Sequence, residues 1–371
     1  MNAVTVEAAL LKDATAWVSR VIPPRPAVPL LAAISIDVAD GVMSLAAFNF
    51  ETYAAVGVPA DGAWEDRVFV HGRVLADVAG RLTGAVTLTL QDGEVLVQSG
   101  RTAVRVRTMD GTDYPAVPAP APTVGTVDAA TFTDLTHQAA AVAASQAEQS
   151  LSFLACLHLA AGDGTLTVQA TDRYRAAIIT TGWDGDPFTA LVNATVFTSA
   201  LKGITGTITL GVDEHHVTVT GGGRTFTMTQ TLIAGGGDYP DLAHLVPDST
   251  DFVTVDRAAL LDAIGTARLA VDVKGTPIRV TVADSTVTVE GGSDRSQAQV
   301  VLDADHTADI GWGFNAEFLQ GLVNATDGPR VEFGMGTGNH PAKPVRVVGV
   351  DPDGDTVDDA VFVIVPIRSV P

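Results

Sequence analysis

The sequence predicts an α+β fold in which three similar domains each combine an antiparallel sheet with two helices. The first evidence is a repeat with a spacing of about 122 residues, a domain-sized length, whereas solenoid units recur every 20–50 residues or so. The copies of one segment begin at Asp40, Asp163 and Asp284, and each continues into alternating apolar residues. The first two copies also end alike, on the Asp-Tyr-Pro triplets that begin at Asp113 and Asp238.

The composition fits a protein with several packed cores. The chain has 371 residues, of which 46% are hydrophobic, so two to three domains are expected and the repeat favours three. No segment reaches the roughly 18 apolar residues needed to span a bilayer, and the N-terminus lacks the basic stretch of a secretory signal. We therefore expect a cytoplasmic protein with no membrane partner. The lone cysteine, Cys156, is expected to be a small buried hydrophobic residue because it lies in an apolar run.

Each repeat is predicted to contain two helices. Apolar residues at helical spacing indicate the helix that opens the first and third copies, and the second opener, 131–149, is rich in alanine. Asp128 and Asp256 precede two openers, where a short carboxylate can cap free N–H groups. The apolar positions are Val6, Leu10, Trp17 and Val21 in the first copy and Leu260, Ile264 and Ala267 in the third. The second helices are predicted over 73–82, 195–204 and 316–323.

Antiparallel strands are predicted for the rest of each repeat. Stretches such as 165–170 and 286–290 alternate apolar and polar residues and contain β-branched side chains, which is typical of half-buried strands. Asp-Gly pairs, among them those at Asp40, Asp92 and Asp163, predict tight hairpin turns between strands.

Proline-rich segments mark the boundaries between the predicted domains. The run 115–123 has four prolines in alternation with small residues and is expected to be a stiff, extended linker, and 240–247 has the same role. We place the boundaries near residues 122 and 248, which gives domains of 1–122, 123–248 and 249–371.

Motifs for catalysis or cofactor binding are scarce. The sequence has no nucleophile elbow, zinc-protease motif, P-loop or paired cysteines, so it predicts no catalytic residues, no metal site and no cofactor.

Charge is distributed unevenly between the predicted helices and the rest of the chain. The net charge of −21 by itself argues against binding nucleic acid. The helical segments nevertheless contain seven basic and nine acidic residues, so they carry −2 and the remainder carries −19. A helical surface that tolerates phosphate is therefore compatible with an acidic chain. The segments counted are 7–20, 71–83, 128–149, 194–204, 255–271 and 315–326.

Two segments combine features that sheet formation alone does not require. Residues 170–176 read Ala-Thr-Asp-Arg-Tyr-Arg-Ala, which places charges and an aromatic ring side by side after a strand. Residues 361–371 end a strand in an apolar tail that contains prolines. Simple closure of a sheet is the alternative interpretation of this tail.

These segments carry a resemblance to the bacterial DNA polymerase III beta subunit family, the sliding clamps, and the resemblance covers the whole chain. The family's Ala-Thr-Asp-Gly-His-Arg-Leu-Ala motif is similar to 170–177, and its Phe-Pro-Asp-Tyr stretch is similar to 239–242. Its Gly-Phe-Asn triplet matches 313–315, and its terminal Val-Met-Pro-Met-Arg-Leu resembles 364–369. Its early Arg-Pro-Thr-Leu-Pro-Ile-Leu resembles 25–31. Five motifs in the same order on a threefold repeat make the resemblance specific.

The resemblance implies the DNA-clamp fold and a head-to-tail homodimer ring. Double-stranded DNA passes through the ring without sequence recognition, and helices line the hole. Such a ring holds DNA by topology, so weakly charged helices suffice. The implied DNA-facing residues are Lys12, Arg20, Arg25, Arg73, Arg81, Gln149, Lys202, Arg257 and Arg268. The implied dimer interface includes Val104 and Val106 of the first domain and Leu269 and Ala270 of the third.

The resemblance also implies a groove between the second and third domains that docks short linear motifs of DNA polymerase, clamp loader and repair proteins. Burial of a peptide's apolar anchors there would supply the affinity. In this chain Arg173 replaces a family glycine, Ala176 a leucine and Ser369 a terminal leucine, so we expect a reshaped pocket. The implied groove residues are Leu154, Thr171, Arg173, Tyr174, Arg175, Ala176, Pro240, His244, Leu245, Asn315, Phe318, Val363, Ile364, Val365, Pro366, Ile367, Arg368 and Ser369.

Two alternatives to a processivity clamp for the replicative polymerase stay open at this point. One is a protein-docking module of the same fold with weakened DNA function, which is favoured by the absence of Lys and Arg from 128–149 and 315–326. The other is an enzyme whose site is dispersed in the sequence, which the lack of any clustered nucleophile or base disfavours.

Overall fold

Strands dominate the computed structural model, which describes residues 3–144, 152–233, 238–273, 275–336 and 343–367. The α+β class predicted from the sequence is confirmed. The helices are α1 (Ala8–Val18), α2 (Gly72–Ala79), α3 (Ala129–Ala140), α4 (Ala194–Leu201), α5 (Arg257–Leu269) and α6 (Ala316–Ala325).

The strands follow the same order three times along the chain. In each copy one strand precedes the first helix, four or five strands separate the two helices, and three strands follow the second. The first copy has β1 (Ala3–Glu7), β2 (Ala33–Ala39), β3 (Val42–Phe48), β4 (Thr52–Pro59), β5 (Asp61–Ala63), β6 (Val68–His71), β7 (Ala85–Gln91), β8 (Glu94–Ser99) and β9 (Thr102–Met109). The second has β10 (Thr123–Asp128), β11 (Cys156–Gly162), β12 (Thr165–Thr171), β13 (Arg175–Gly182), β14 (Asp184–Gly185), β15 (Phe188–Asn193), β16 (Thr207–Val212), β17 (His216–Gly221) and β18 (Arg224–Thr229). The third has β19 (Ser249–Asp256), β20 (Ile278–Ala283), β21 (Thr286–Gly292), β22 (Gln297–His306), β23 (Ile310–Phe314), β24 (Arg330–Gly336), β25 (Val345–Val350) and β26 (Ala360–Ile364).

Each of two compact units is built on one antiparallel sheet. Unit 1 comprises Met1–Phe132, Asp184–Asp186 and Val196–Gln230. Its sheet has the strand order β14-β10-β16-β17-β18-β4-β3-β2-β6-β9-β8-β7-β1-β5. The first and second copies of the repeat are joined in this unit by the pairing of β4 with β18.

Unit 2 comprises Thr133–Trp183, Pro187–Thr195 and Thr231–Pro371. Its sheet has the order β15-β11-β12-β13-β26-β25-β24-β19-β22-β21-β20-β23. The second and third copies are joined by β13 and β26, in the register Ala176↔Val363. Because each unit combines parts of two repeats, the domain boundaries near 122 and 248 stay a prediction.

The predicted turns and helix caps are present. Asp40, Asp92 and Asp163 have φ of 51–52°, each with a positive-φ glycine after it, which is the geometry of two-residue hairpins. Thr131 N donates to Asp128 Oδ1 at 3.0 Å, and Asp256 caps α5 in the same way. Helix α3 is shorter than the predicted 131–149, and residues 145–151 lie outside the described part.

Large aromatic side chains fill the core of each unit. In unit 1 the Phe132 ring centroid lies 5.9 Å from that of Phe197 in an edge-to-face arrangement. In unit 2 Trp312 packs between Phe314 and Phe333. Cys156 is buried as predicted, and burial raises the pKa of its thiol. Among the helices of the described ranges, none has the length and apolar content to cross a membrane.

Candidate functional site

The turn between β12 and β13 is held together by the carboxylate of Asp172. Its Oδ1 accepts hydrogen bonds from Tyr174 N at 2.9 Å and Arg175 N at 2.7 Å. Thr171 Oγ1 donates to Arg175 O at 2.7 Å and accepts from Arg173 N at 3.1 Å. Short polar side chains that bond nearby backbone groups stabilise turns of this kind. The turn therefore fixes where Tyr174 and Arg175 leave the sheet.

Arg175 is held between a carboxylate and an aromatic ring. Its Nη2 lies 2.8 Å from Asp172 Oδ2, and both side chains are less than a tenth exposed. Its guanidinium also lies 4.5 Å from the centroid of the Phe318 ring. Tyr174 is 54% exposed, and its ring centroid lies 5.8 Å from that of Phe318. The pairing neutralises Arg175 and leaves two aromatic rings at the surface.

The C-terminal tail is attached to the same turn and to β23. After the β13–β26 pairing ends at Arg175↔Ile364, Val365 N donates to Tyr174 O at 2.9 Å. Ile367 N then donates to Gly313 O at 2.8 Å. A Cβ at Gly313 would lie 3.1 Å from Ile367 O, so the tail passes close to this glycine. The tail therefore forms part of a surface that also includes the turn.

An apolar cluster lies beneath this surface. Ala176, Leu242 and Val363 are buried together, and Tyr239 and Leu245 pack against them as partly buried residues. Asn315 fixes the start of α6, which carries Phe318. Its side chain caps the helix and accepts hydrogen bonds from Glu317 N and Phe318 N. We call the surface formed by the turn, the tail and the start of α6 the groove.

A stacked pair of rings supports the wall that contains Tyr239. The His158 and Tyr239 ring centroids are 4.6 Å apart with an interplanar angle of 7°. Burial lowers the pKa of His158 and raises the pKa of the Tyr239 hydroxyl. Both shifts favour neutral rings at physiological pH, as expected for a packing element rather than an acid–base pair.

The structure brings most of the predicted groove residues together. Val365 and Ile367 each expose more than a third of their surface, whereas Leu154 and Pro366 are buried. Pro240 and His244 are exposed on the segment that carries Leu242. Arg368 and Ser369 lie outside the described residues.

The predicted groove residues left out Asp172, Leu242 and Tyr239, although the motifs at 170–177 and 239–242 contain them. Asp172 pairs with Arg175, and Leu242 and Tyr239 belong to the apolar cluster. The aspartate three residues before Arg175 was a usable signal, because this spacing allows one carboxylate to cap the turn and pair with the arginine. Leu242 and Tyr239 lie in a loop, where no periodic pattern indicates burial.

Several predicted DNA-facing residues are tied to backbone carbonyls. Arg20 Nη1 donates to Ser199 O and Lys202 O, both at 2.8 Å, at the C-terminal end of α4. Arg257 donates to the carbonyls of Val323 and Asn324 at 3.0 Å, near the end of α6. Cations at the C-terminal ends of helices are favoured by the helix dipole.

The other cations predicted to face DNA are exposed in the described ranges. Arg73 donates to Pro23 O at 3.3 Å, and Arg268 contacts Gln320 and Glu317. Gln149 lies outside the described residues. The rest of the cations predicted to face DNA are exposed as well, namely Lys12, Arg25, Arg81 and Lys202.

The predicted interface residues differ in exposure. Leu269 is 85% exposed, whereas Val106 and Ala270 are buried and Val104 is half-buried. Leu269 is therefore the one of the four that offers a large apolar side chain for association.

The described residues contain no group of three His, Cys, Asp or Glu side chains placed to hold a metal ion.

Three copies of one helix-and-sheet repeat, with a turn of the second copy bonded to the C-terminal tail of the third, are the architecture expected of a DNA-clamp protein. The family model for the N-terminal domain of the DNA polymerase III beta subunit matches residues 2–118. The chain is 35% identical over 300 residues to the beta sliding clamp of Micrococcus luteus, an alignment that covers 78% of this chain and 94% of that protein. The chain belongs to the beta sliding clamp family.

Two further comparisons extend over the full length. The beta sliding clamp of Streptomyces coelicolor is 29% identical, with 98% of this chain and 99% of that protein covered. A crystal structure of the DnaN sliding clamp from Pseudomonas aeruginosa bound to griselimycin superposes with a TM-score of 0.88 at 21% identity, covering 100% of both chains. At that identity the superposition shows the fold alone.

Proposed function

We propose that this sliding clamp encircles double-stranded DNA as a head-to-tail homodimer and tethers the replicative polymerase as a processivity factor. The observation that carries the proposal is the attachment of the C-terminal tail to the 171–175 turn through Val365 N and Tyr174 O. The turn and the tail are two of the segments on which the family resemblance rests, and their contact joins them into one surface. The role is a non-catalytic one, performed in the cytoplasm.

The groove suits a short peptide with apolar anchors. Tyr174, whose ring lies next to that of Phe318, is exposed, as are Val365 and Ile367 of the tail. A buried apolar cluster that includes Ala176 and Val363 lies on the adjoining strands. Interfaces take most of their binding energy from a few aromatic or aliphatic anchors that enter supported pockets. Linear motifs of DNA polymerase, clamp loader and repair proteins are the proposed occupants.

The proposed homodimer is supported by two strands with a free edge. Along Thr102–Arg107, β9 pairs with β8 on one side, and no other described strand occupies its opposite side. Along Gln297–Asp303, β22 likewise pairs with β21 alone among the described strands. Free edges pair readily with a second chain. Leu269 on α5 would add apolar contact area.

Weak charge on the helices is compatible with a topological clamp. A closed ring keeps DNA without tight phosphate contacts, and tight contacts would slow sliding. Exposed cations such as Lys12, Arg25 and Lys202 would supply transient, sequence-independent contacts. The acidic remainder of the chain would repel other DNA.

Retention on circular and linear DNA tests the proposal. The protein is loaded on nicked circular DNA with a clamp loader, and half of the complex is linearised with a restriction enzyme before gel filtration. A topological clamp stays on the circle and leaves the linear molecule by its ends. Equal loss from both molecules would contradict encirclement.

The docking-module alternative is supported by a specific observation. Arg20 and Arg257 are bonded to backbone carbonyls, so two of the basic side chains already satisfy part of their hydrogen-bonding capacity within the fold. Equal loss from circular and linear DNA, combined with retained peptide binding, would favour this alternative.

A further inference from the structure

The turn that carries Arg173 occurs twice in the molecule with the same backbone geometry. In unit 1 Asn49 Oδ1 accepts from Glu51 N and Thr52 N, as Asp172 Oδ1 does from the residues that follow it. The residue after the capping side chain has a left-handed φ in both turns, 78° at Phe50 and 79° at Arg173. In both turns this residue is exposed.

A left-handed backbone is unfavourable for arginine. Its Cβ crowds the neighbouring carbonyl, so this conformation suits glycine and, to a lesser degree, asparagine and aspartate. The turn holds the backbone in this conformation through the hydrogen bonds of Thr171 and Asp172. The Arg173 guanidinium itself has no hydrogen-bond or ion-pair partner among the described residues. Because Phe50 adopts the same conformation outside the groove, the backbone alone assigns no role. The exposed, unpaired guanidinium next to Tyr174 is the feature that indicates a role in recognition.

Among the described residues of the turn, Arg173 is the cation without an ion-pair partner. The neighbouring cation, Arg175, is neutralised by Asp172 and covered by Phe318. The chain as a whole carries a net charge of −21 and repels acidic ligands at long range. A free guanidinium beside Tyr174 therefore creates a local site where a ligand carboxylate is attracted.

We propose that Arg173 is a specificity-determining residue of the groove, which selects partner peptides that carry an aspartate or glutamate beside their apolar anchors. This inference rests on the proposed peptide-docking function of the groove. The carboxylate would pair with the Arg173 guanidinium while the anchors cover Phe318 and the tail.

The test uses pairs of synthetic peptides in which Leu and Phe anchors are constant. Each pair carries either Asp or Asn at one position flanking the anchors, and the flanking position is varied between pairs. Affinities for the full-length protein are measured by calorimetry at low and high salt. For at least one pair we expect the Asp peptide to bind about threefold more tightly at low salt, the size of an exposed ion pair.

Substitutions at residue 173 identify the source of this preference. Arg173→Gln should bind the Asp and Asn peptides equally, Arg173→Lys should keep part of the preference, and the preference should shrink at high salt. Arg173→Gly should also lose the preference while its melting temperature rises, because glycine relieves the left-handed strain. That combination separates recognition from a structural role.

Three outcomes would overturn the inference, two of them at Arg173 and one at the groove as a whole. An unchanged Asp-to-Asn ratio in Arg173→Gln, or equal binding of all pairs by the unmodified protein, rejects the role of Arg173 and leaves the groove intact. Failure of every peptide to bind rejects the groove itself, and the inference with it.

Discussion

The guanidinium of Arg175 lies over the face of the Phe318 ring, 4.5 Å from its centroid. The arginine comes from the second copy of the repeat and the phenylalanine from the third, so the contact joins two segments that are far apart in sequence. Because Asp172 fixes the arginine from the other side, the Phe318 ring has a defined position at the surface.

Removal of the ring together with the end of the tail should abolish peptide binding. Phe318→Ala combined with truncation after Pro366 deletes the central aromatic anchor and the Ile367 contact with Gly313. Loss of a central anchor typically costs 2 kcal/mol or more, which is about thirtyfold in Kd. Calorimetry with a polymerase-derived peptide measures the effect, and analytical ultracentrifugation checks that self-association is unchanged. An unaltered affinity would exclude this surface as the docking site.

Arg175→Ala should destabilise unit 2 more than Arg173→Ala does. The substitution leaves Asp172 buried without its ion-pair partner, and breaking a buried pair is strongly destabilising. Two backbone N–H groups still bond Asp172, so we expect a loss of about 3 kcal/mol, at the low end of the cost of breaking a buried ion pair. Arg173→Ala is the matched control, because that side chain is exposed. Urea denaturation followed by circular dichroism gives both values, and equal effects would argue against the pairing.

The elements with strong local signals were predictable from the sequence. The Asp-Gly turns at Asp40, Asp92 and Asp163 require a left-handed backbone that few residue pairs adopt, and the structure has it at each of them. The caps at Asp128 and Asp256 are also present, because a carboxylate before a helix has one favourable partner nearby.

Other features depend on tertiary contacts that leave no local pattern. The strands β1, β10 and β19 were absorbed into the predicted opening helices or left unassigned, because each runs directly into a helix. The burial of Leu242 and Tyr239 depends on the tail, which is more than a hundred residues away in sequence. The use of Arg20 and Arg257 to bond helix-end carbonyls likewise follows from packing between helices.

Gly203→Ala should destabilise unit 1 for two reasons. Gly203 has a φ of 88°, and an added Cβ would lie 2.9 Å from the Nη1 of Arg224. That arginine is nearly buried, pairs with Asp13 and lies 5.5 Å from the centroid of a Trp17 ring. We expect about 1 kcal/mol from the backbone and a similar further cost from displacement of Arg224.

Gly84→Ala is the matched control for the backbone contribution. Gly84 also has a positive φ, 68°, but a Cβ there would meet nothing within 4 Å. Its substitution should therefore cost about 1 kcal/mol, the backbone part alone. Thermal and urea denaturation of the two variants gives the difference. Equal destabilisation would show that Arg224 moves aside without cost.

Asp358 should make the stability of unit 2 depend on pH. Its carboxylate accepts a hydrogen bond from Gln138 Nε2, which also donates to Asp327. Burial raises the pKa of Asp358 above its ordinary 3.8, and the neighbouring charges of Asp327 and Asp359 raise it further. The hydrogen bonds from Gln138 and from the Ala360 backbone act in the opposite direction. Between 3.8 and the raised pKa the folded protein binds more protons than the unfolded chain. The free energy of unfolding therefore falls as pH rises through that window, and the loss persists at neutral pH.

Asp358→Asn removes this dependence, because the amide is neutral at every pH. We expect its melting temperature to exceed that of the unmodified protein at pH 7 by about 2 °C, since the carboxylate is half exposed and solvent screens it. The difference should shrink as pH falls toward 3.8, where the native carboxyl becomes protonated. Asp359→Asn, at an exposed neighbouring position, is the control for the loss of one negative charge. Scanning calorimetry from pH 4 to pH 8 measures both variants, and a difference that stays constant across this range would show that Asp358 titrates normally in the folded protein.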